Sequence, residues 1–441
     1  MKEVKHSGWG RTHSSISKCY EIDEFNQRLV SENQSGLAIG LGRSYGDTCV
    51  NSEGIYFRVN KTNRIEIDAE KMIATCSADV TIGDLERAAI SKNLFPITVP
   101  GTEFVTIGGA IASNIHGKSH HQAGSFGESL IEIKLLKSNS ELITLYPRGE
   151  TSEYFWATVG GLGLTGIIVE ATIKLQKIEN AYVEIAEERA MNFDELIDLL
   201  NDFDRRFLYT VAWIDLSGNF SGRGLVTGGN HASQKAVSQS KIKNPNSFKE
   251  PKNLKIPDVF PAGLMNWFTI KVFNYIWFKK PIKRELQHVQ HFLHPLDNVL
   301  NWNRIYGSPG FIQFQFSVPD HNLYFIKKVL DLMRQYRVAS FLGVLKKFGD
   351  GDRSLLGFPN PGWTLAVDVP ASRSDFINEI SSLMDELAQI GGRVYLSKDT
   401  MLSVNQFRRM YPKYNRFIEQ KKELDPLDFW KSDQGRRLAL C

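Results

Sequence analysis

Three glycine-rich stretches constrain this chain more than any other feature. They are Gly40-Leu-Gly-Arg-Ser-Tyr-Gly-Asp47, then Thr106-Ile-Gly-Gly-Ala-Ile-Ala-Ser-Asn-Ile-His-Gly117 shortly after Pro100-Gly-Thr, and Gly160-Gly-Leu-Gly-Leu-Thr-Gly166. Each is bounded by apolar, extended-looking sequence. Glycine lacks a Cβ and tolerates positive φ, so its backbone N–H groups can approach a pyrophosphate closely. Several such loops in one chain predict a large dinucleotide gripped by all of them. The stretch Gly161–Gly166 matches G-x-G-x-x-G, but a Rossmann fingerprint must open a helix. Here the β-branched run Ile167–Leu175 follows, so a nicotinamide site of that kind is not expected.

The other residues of these loops also carry chemistry. Arg43 and Ser44 can donate to phosphate oxygens, and Tyr45 supplies a ring and a hydroxyl, with simple packing as its alternative role. His116, His120 and His121 lack a supporting cysteine or carboxylate ligand set, so no metal is expected. His116, two residues after Asn114, suits a hydrogen-bond donor facing the bound ligand. A structural histidine is the alternative.

A chain of 441 residues is long enough for two or three domains, and its net charge of +4 is too thinly spread to argue for nucleic acid. The four cysteines show no ligand spacing and read as reduced thiols in a reducing compartment. The start, Met1 to Gly10, lacks an apolar core of the secretory kind, and no run reaches the ~18 to 20 apolar residues of a spanning helix. A cytoplasmic protein is therefore expected, with peripheral contact at the inner membrane left open by one segment. Trp267–Lys280 is aromatic with a basic end, and Lys235–Lys255 carries six lysines against Glu250. These read either as a core helix beside a solvated loop or as a surface touching anionic membrane or a lipid-linked substrate.

Short strands are expected at 55–59, 64–68 and 72–76, then a helix capped by Thr81 with Asp84 at its third position. Strands follow the His116 loop and the third glycine cluster, closing an α+β block near residue 180. Asn192 begins a second block with a capping box completed by Glu195. From Phe311 the order is strand 311–318, helix 321–337, strand 338–346, strand 363–369, helix 374–390, strand 393–397, the β-α-β-β-α-β of a ferredoxin-like sheet. Three units are expected: 1–180, 181–392, and a segment 393–441 returning to the first.

The order and wording of the glycine clusters resemble the FAD-binding domain of the vanillyl-alcohol oxidase (PCMH-type) flavoenzymes. Gly8-Trp-Gly-Arg-Thr, Ile115–Gly127, Phe155–Ile168, Leu254–Pro261, Phe311–Phe316, Pro361-Gly-Trp, Tyr395-Leu-Ser-Lys-Asp399 and the Arg-Arg-Leu ending narrow the resemblance to the decaprenylphosphoryl-β-D-ribose 2′-oxidase family, over nearly the whole chain. That resemblance implies an α+β, two-domain fold: a PCMH-type FAD-binding domain and a substrate (cap) domain built on an antiparallel sheet with helices. It implies oxidation of the ribose 2′-hydroxyl of a polyprenyl-phosphoryl ribose. A separate NAD(P)H-dependent keto-sugar reductase would then complete epimerisation to the arabinose form used in cell-wall arabinan. Arg43 occupies the position where many relatives carry a flavin-linking histidine, which implies FAD held without a covalent bond.

By the same resemblance, FAD contacts come from Ala38, Ile39, Gly40, Leu41, Gly42, Arg43, Ser44, Tyr45, Gly46, Asp47 and Thr48. Gly101, Thr106, Ile107, Gly108, Gly109, Ser113, Asn114, Ile115, His116, Ile168 and Tyr395 complete that set. Tyr45, His116, Lys118, Gln313, Gln315, Lys346 and Lys398 would form the substrate pocket. Ala366 stands where the family's best-known members carry cysteine, and Thr364 where they carry asparagine. Strand alternation independently puts Gln313 and Gln315 on one face, with Ile312, Phe314 and Phe316 on the other. Lys346 and Lys398 can pair with phosphate; for a lysine to act as base, burial or a neighbouring cation must lower its pKa. Lys398 is read as a positioning and phosphate-binding group with Tyr45 or His116 nearer the proton, the plain alternative being a surface lysine. Two rival functions remain: an aldonolactone or alditol oxidase, and a non-catalytic polyprenyl-phosphate-binding protein.

Overall fold

The computed structural model describes residues 2–22, 34–217, 222–240, 242–248, 254–258, 263, 265–338, 340–350 and 352–441. Lys241, Lys249, Glu250 and Lys252 of the lysine-rich stretch, and 259–261 of the Leu254–Pro261 motif, lie outside them.

The first block carries two sheets. In one, the hairpin Lys2–Ser7 with Ser14–Glu21 is antiparallel, while Gly54–Arg58 pairs in parallel with both Ser14–Glu21 and Ser35–Ala38. In the other, Ile167–Lys177 lies centrally between Ile73–Ser77 and Leu130–Leu136. The helix Ile82–Ile90 starts where the sequence places it: Thr81 Oγ1 accepts from Asp84 N at 3.1 Å, and its buried face carries Ile82, Leu85 and Ala89. The second glycine stretch is not wholly a loop. Thr106 Oγ1 accepts from Gly109 N at 3.1 Å and caps the short helix Ile107–Ala112.

An eight-stranded sheet dominates the rest. Its strand order is Arg284–His288, Tyr182–Ala190, Gly224–His231, Tyr209–Ile214, Gly343–Phe348, Gly362–Pro370, Phe311–Val318 and Arg393–Val394. Helices Leu323–Gln335 and Ser374–Gln389 follow the β-α-β-β-α-β order read from sequence. The helix Phe193–Arg206 is capped by Asn192 Oδ1 on Glu195 N, but Glu195 accepts from Met191 N at 2.7 Å, one residue earlier than a capping box requires.

Two strands differ from expectation by three residues or more at one end. The strand expected from Val338 begins at Gly343, because Ser340 Oγ accepts from Leu342 N and holds a turn. The last strand ends at Val394, and Leu396–Lys398 forms a 3-10 turn.

Alternation gives the large sheet two different faces. Phe314, Phe316, Leu345, Leu365 and Val367 belong to the main buried core, and Phe316 meets Phe325 of the helix behind at 5.4 Å. The opposite face carries Gln313, Gln315, Val344, Lys346 and Ala366 and looks into a cavity shared with the first block. The C-terminal segment returns to the first block, where Phe429 and Trp430 pack with Tyr20, Ile55 and Phe57.

Candidate active site

A cavity of about 1160 Å³ lies between the blocks, walled by the glycine loops on one side and by the large sheet on the other. That exceeds the ~300–1,000 Å³ of an ordinary small-molecule pocket, so it has room for a dinucleotide and a second ligand.

The loop 40–48 is clamped at close range. Trp9 N donates to Ser44 O (2.7 Å), Gly10 N to Tyr45 O (3.1 Å) and Tyr45 N to Ser397 O (2.9 Å). A Cβ on Gly46 would stand 2.2 Å from Asp399 O, so only glycine lets the C-terminal turn pass this near. Gly101 shows the opposite requirement. A Cβ there meets no protein atom within 4 Å and would project into the cavity, as expected where a ligand takes the space. Two buried polar atoms on the cavity wall, His6 Nε2 and Gln315 Oε1, have no partner among the described residues. The glycine-lined wall and these unsatisfied atoms fit a bound dinucleotide and a polar substrate.

The polar end of the sheet face is a connected network. Lys398 Nζ donates to Gln313 Oε1, Gln313 Nε2 donates to Asp368 Oδ1 at 2.5 Å, and Tyr306 OH donates to Asp368 Oδ2 at 3.2 Å. Gln313 and Asp368 are cross-strand partners in register, which puts them on one face. Gln315 Nε2 lies 3.2 Å from both His116 Nε2 and Thr364 Oγ1. Lys346 Nζ lies 3.3 Å from His116 Nδ1, whose ring is enclosed by Phe348, Phe358 and Tyr395.

Burial dominates the electrostatics. It lowers Lys118 to about 7, and lowers Lys346 to about 7 with help from the charges of Lys398 and Lys118. Burial also lowers Lys398, to about 8, against the pull of Asp368. Asp368 is raised to about 7 by burial, which outweighs the Gln313 hydrogen bond and the Lys398 charge. Burial with Lys346, His120 and Lys398 nearby holds His116 well below the ordinary histidine value, and burial with Asp368 holds the Tyr45 phenol well above its own.

Residues 21–146 match the FAD binding domain family. The chain is 37% identical, over 98% of its length and 97% of the other protein's, to the decaprenylphosphoryl-beta-D-ribose oxidase of Mycolicibacterium smegmatis. The chain belongs to the decaprenylphosphoryl-β-D-ribose oxidase family. It is an FAD-dependent oxidoreductase. An uncharacterised protein of Streptomyces coelicolor is 28% identical over 82% of this chain, and the L-gulonolactone oxidase of Bos taurus is 22% identical over 96% of it.

In this member of the oxidase family the cavity collects most residues read from sequence. From the first loop, Ala38, Ile39, Gly40, Leu41, Gly42, Arg43, Ser44, Tyr45 and Thr48 line it. So do Gly101, Thr106, Gly108, Gly109, Ser113, Ile115, His116, Ile168 and Tyr395, and the five polar residues Lys118, Gln313, Gln315, Lys346 and Lys398. Four expected FAD contacts do not face it. Gly46 packs on the Asp399 carbonyl, and Ile107 is fully buried core. Asp47 is held by Nε and Nη2 of the Arg437 fork, both at 2.8 Å. Asn114 accepts from Gly127 N at 2.9 Å and donates to Asp352. These four support the loops from behind. Arg43 lies against Trp9, its guanidinium 4.0 Å from that ring, and Nε donates to Phe104 O.

His120 and His121 turn away from the cavity, toward Phe348 and the Phe207 carbonyl respectively. Among the described residues no three His, Cys, Asp or Glu side chains group as a metal site.

Two residues escaped the sequence reading. Asp368 anchors Gln313. Asp297 accepts from Thr102 Oγ1 (2.8 Å) and Glu103 N (2.7 Å), fixing the turn beside Gly101 from the sheet block. The alternation of Thr364, Ala366 and Asp368 within an apolar strand was a usable signal for the first. Nothing local marks the second.

Proposed function

We propose that the protein oxidises the ribose 2′-hydroxyl of a polyprenyl-phosphoryl-β-D-ribose to the 2′-keto sugar. One observation carries this reading. The sheet face that is amide- and lysine-bearing around Gln313, Gln315, Lys346 and Lys398 becomes mainly apolar along Val344, Trp213, Val211 and Leu225 within the same cavity, with Thr227 and Glu187 beyond them. A sugar phosphate with a hydrocarbon tail matches that gradient. A soluble sugar lactone leaves the apolar part of the floor without a use, which disfavours the lactone-oxidase reading.

Bound FAD supplies the hydride acceptor, since no side chain takes hydride. The protein supplies the proton acceptor and the charge. Tyr45, held well above its usual value, stays a phenol and cannot take the proton. His116 is a poor base for the opposite reason, and both its ring nitrogens already have neighbours. Lys398, at about 8, has the neutral fraction a base needs near neutral pH, and Asp368 favours its charged form once the proton arrives. The proton is therefore assigned to Lys398, with Gln313 fixing the amine. Lys118 and Lys346 become fully charged when a phosphate binds beside them. Arg43 cannot form the link made by a histidine, so FAD is held non-covalently. The keto product is the substrate of a separate NAD(P)H-dependent reductase.

The test is anaerobic bleaching of the yellow holoenzyme by a polyprenyl-phosphoryl ribose. Bleaching by this substrate and not by free ribose supports the reading. A flavin that stays oxidised with it refutes the reading.

A further inference from the structure

The helix Trp267–Lys279 is built like a core helix and placed like a surface one. It buries Ile270, Asn274 and Phe278, a single i, i+4, i+8 stripe. That stripe is anchored: Asn274 Nδ2 donates to Asp215 Oδ1 at 3.0 Å and to Ser340 O at 3.3 Å, and Arg189 Nε donates to Phe278 O at 2.8 Å. The N-terminus is closed by an Asn266–Thr269 capping box. The outward face is therefore held in place. It presents Phe268 (68% exposed), Ile276 (64%), Tyr275 (54%) and Val272 to solvent. A helix apolar all round needs a partner on each side, and this one has a partner on one.

Two further observations identify the missing partner. The helix contains no acidic residue, and Lys271 and Lys279 are exposed on it. Lys280 and Lys283 follow but are paired with Glu187 at 3.2 Å and Glu285 at 3.1 Å, so Lys271 and Lys279 are the charges this face offers. Aromatic rings mixed with lysine at a surface fit the headgroup region of an anionic bilayer, with rings at the acyl boundary and ammonium groups among phosphates. The same face is also continuous with the cavity. Phe273 and Trp277 are partly exposed, line the cavity, and stack on each other at 5.9 Å. Phe273 meets Phe341 edge-on at 6.1 Å, and Phe341 meets Trp302 deeper in the wall at 6.2 Å. An unbroken aromatic surface thus runs from the outside of the helix into the apolar part of the cavity.

We infer that the outward face of Trp267–Lys279 is a membrane-docking surface that sets the cavity mouth on an anionic bilayer, so that a lipid-linked substrate enters without crossing water. The entry role rests on the proposed function; the docking does not. The test is sedimentation of the FAD-loaded protein with phosphatidylcholine vesicles, with and without phosphatidylglycerol. The wild type should bind the anionic vesicles, less so as salt rises. The double variant Phe268→Glu, Ile276→Glu lies outside the cavity wall. It should bind roughly tenfold more weakly or worse, with FAD content, melting temperature and turnover of a short-chain substrate in detergent unchanged. Lys271→Gln with Lys279→Gln should weaken binding to anionic vesicles alone.

Wild-type binding unaltered by the glutamates overturns the inference. So does a protein that ignores vesicles and forms a dimer dissolved by the same glutamates, since a second copy would then cover the face. Vesicle binding through the helix by a protein that fails the bleaching test refutes the substrate and leaves the docking surface standing.

Discussion

Replacing Lys398 by methionine keeps the length and apolar stem of the side chain and removes its nitrogen. Three things are lost together: the donor to Gln313 Oε1, the cation that offsets Asp368, and the amine assigned to the proton. A hydrogen bond from a charged group is worth ~1.5–3 kcal/mol. That bond is made in the free enzyme as well, so its loss is first a cost in stability and does not by itself set the fall in kcat/KM. A lost general base costs ~10²- to 10⁴-fold. The expected fall is therefore at least ~100-fold, with FAD content retained. The assay is dye-coupled turnover of ribose substrates with and without the phosphate. If Lys398 takes the proton, both substrates lose activity equally. A loss confined to the phosphorylated substrate would move Lys398 to the phosphate, and full activity on both would remove it from the site.

The same variant has a signature in stability that a merely peripheral lysine would lack. Asp368 stands at about 7 against an ordinary 3.8. A raised carboxyl contributes stability that is fully present below its unfolded value and is lost as pH rises through its folded value. In the wild type that loss is complete a little above pH 7. Without the Lys398 charge the carboxyl moves higher, so the loss continues at more alkaline pH. Lys398 itself acts in the same sense: lowered from 10.5 to about 8, it makes the wild type gain stability as pH rises through that interval, and methionine does not. The melting-temperature gap between wild type and variant should thus widen steadily from pH 6 to pH 9. A constant gap would refute the Asp368–Lys398 coupling.

Gln315→Leu removes the amide whose Oε1 has no protein partner, and kcat/KM should fall by ~10²-fold or more with FAD content unchanged, because a site built for hydrogen bonds then leaves substrate hydroxyls unpaired. Unchanged turnover would mean the substrate does not use this face. Gly101→Val should leave the fold intact and cut FAD occupancy roughly tenfold, since the added carbons enter cavity space rather than protein; equal flavin content on purification would place the dinucleotide elsewhere. Acid precipitation should leave all flavin in the supernatant, and colour kept by the washed pellet would contradict the non-covalent reading of Arg43.

Much of this fold is written in short-range signals. The helices at Ile82 and Phe193 follow from caps and apolar stripes, and the β-α-β-β-α-β order follows from changes of period along the chain. The placement of Gln313 and Gln315 opposite Phe314 and Phe316 follows from a period of two. What stayed hidden depends on register and on partners distant in sequence. Alternation along its strand marks the face of Asp368, but not that it lies across from Gln313, which is what makes it matter. Asp297 reaches the Gly101 turn from a short 3-10 segment. The helix at Trp267 reads by composition either as core or as a membrane-facing surface. Which of its faces lacks a neighbour is a tertiary fact that helical periodicity cannot supply.

The short last strand shows how a departure from regularity can create the site. Val394 pairs with Phe316, whose side chain faces the helices, so alternation puts Tyr395 on the cavity side and Leu396 on the helix side. Had the strand run on through Ser397, the same alternation would have sent Lys398 toward the helices, away from Gln313. The 3-10 turn Leu396–Lys398 breaks the alternation and returns Lys398 to the cavity. That turn is fixed from outside: Thr48 Oγ1 and Gln434 Nε2 both donate to Leu396 O, and Arg437 ties Asp399 to Asp47. Tyr45 N meanwhile donates to Ser397 O at 2.9 Å. The first glycine loop and the C-terminal segment thus position Tyr45 and Lys398 as one unit, with the Lys398 ammonium 5.0 Å from the Tyr45 ring. The Arg-Arg-Leu ending belongs to the site through this unit although it touches no ligand space itself.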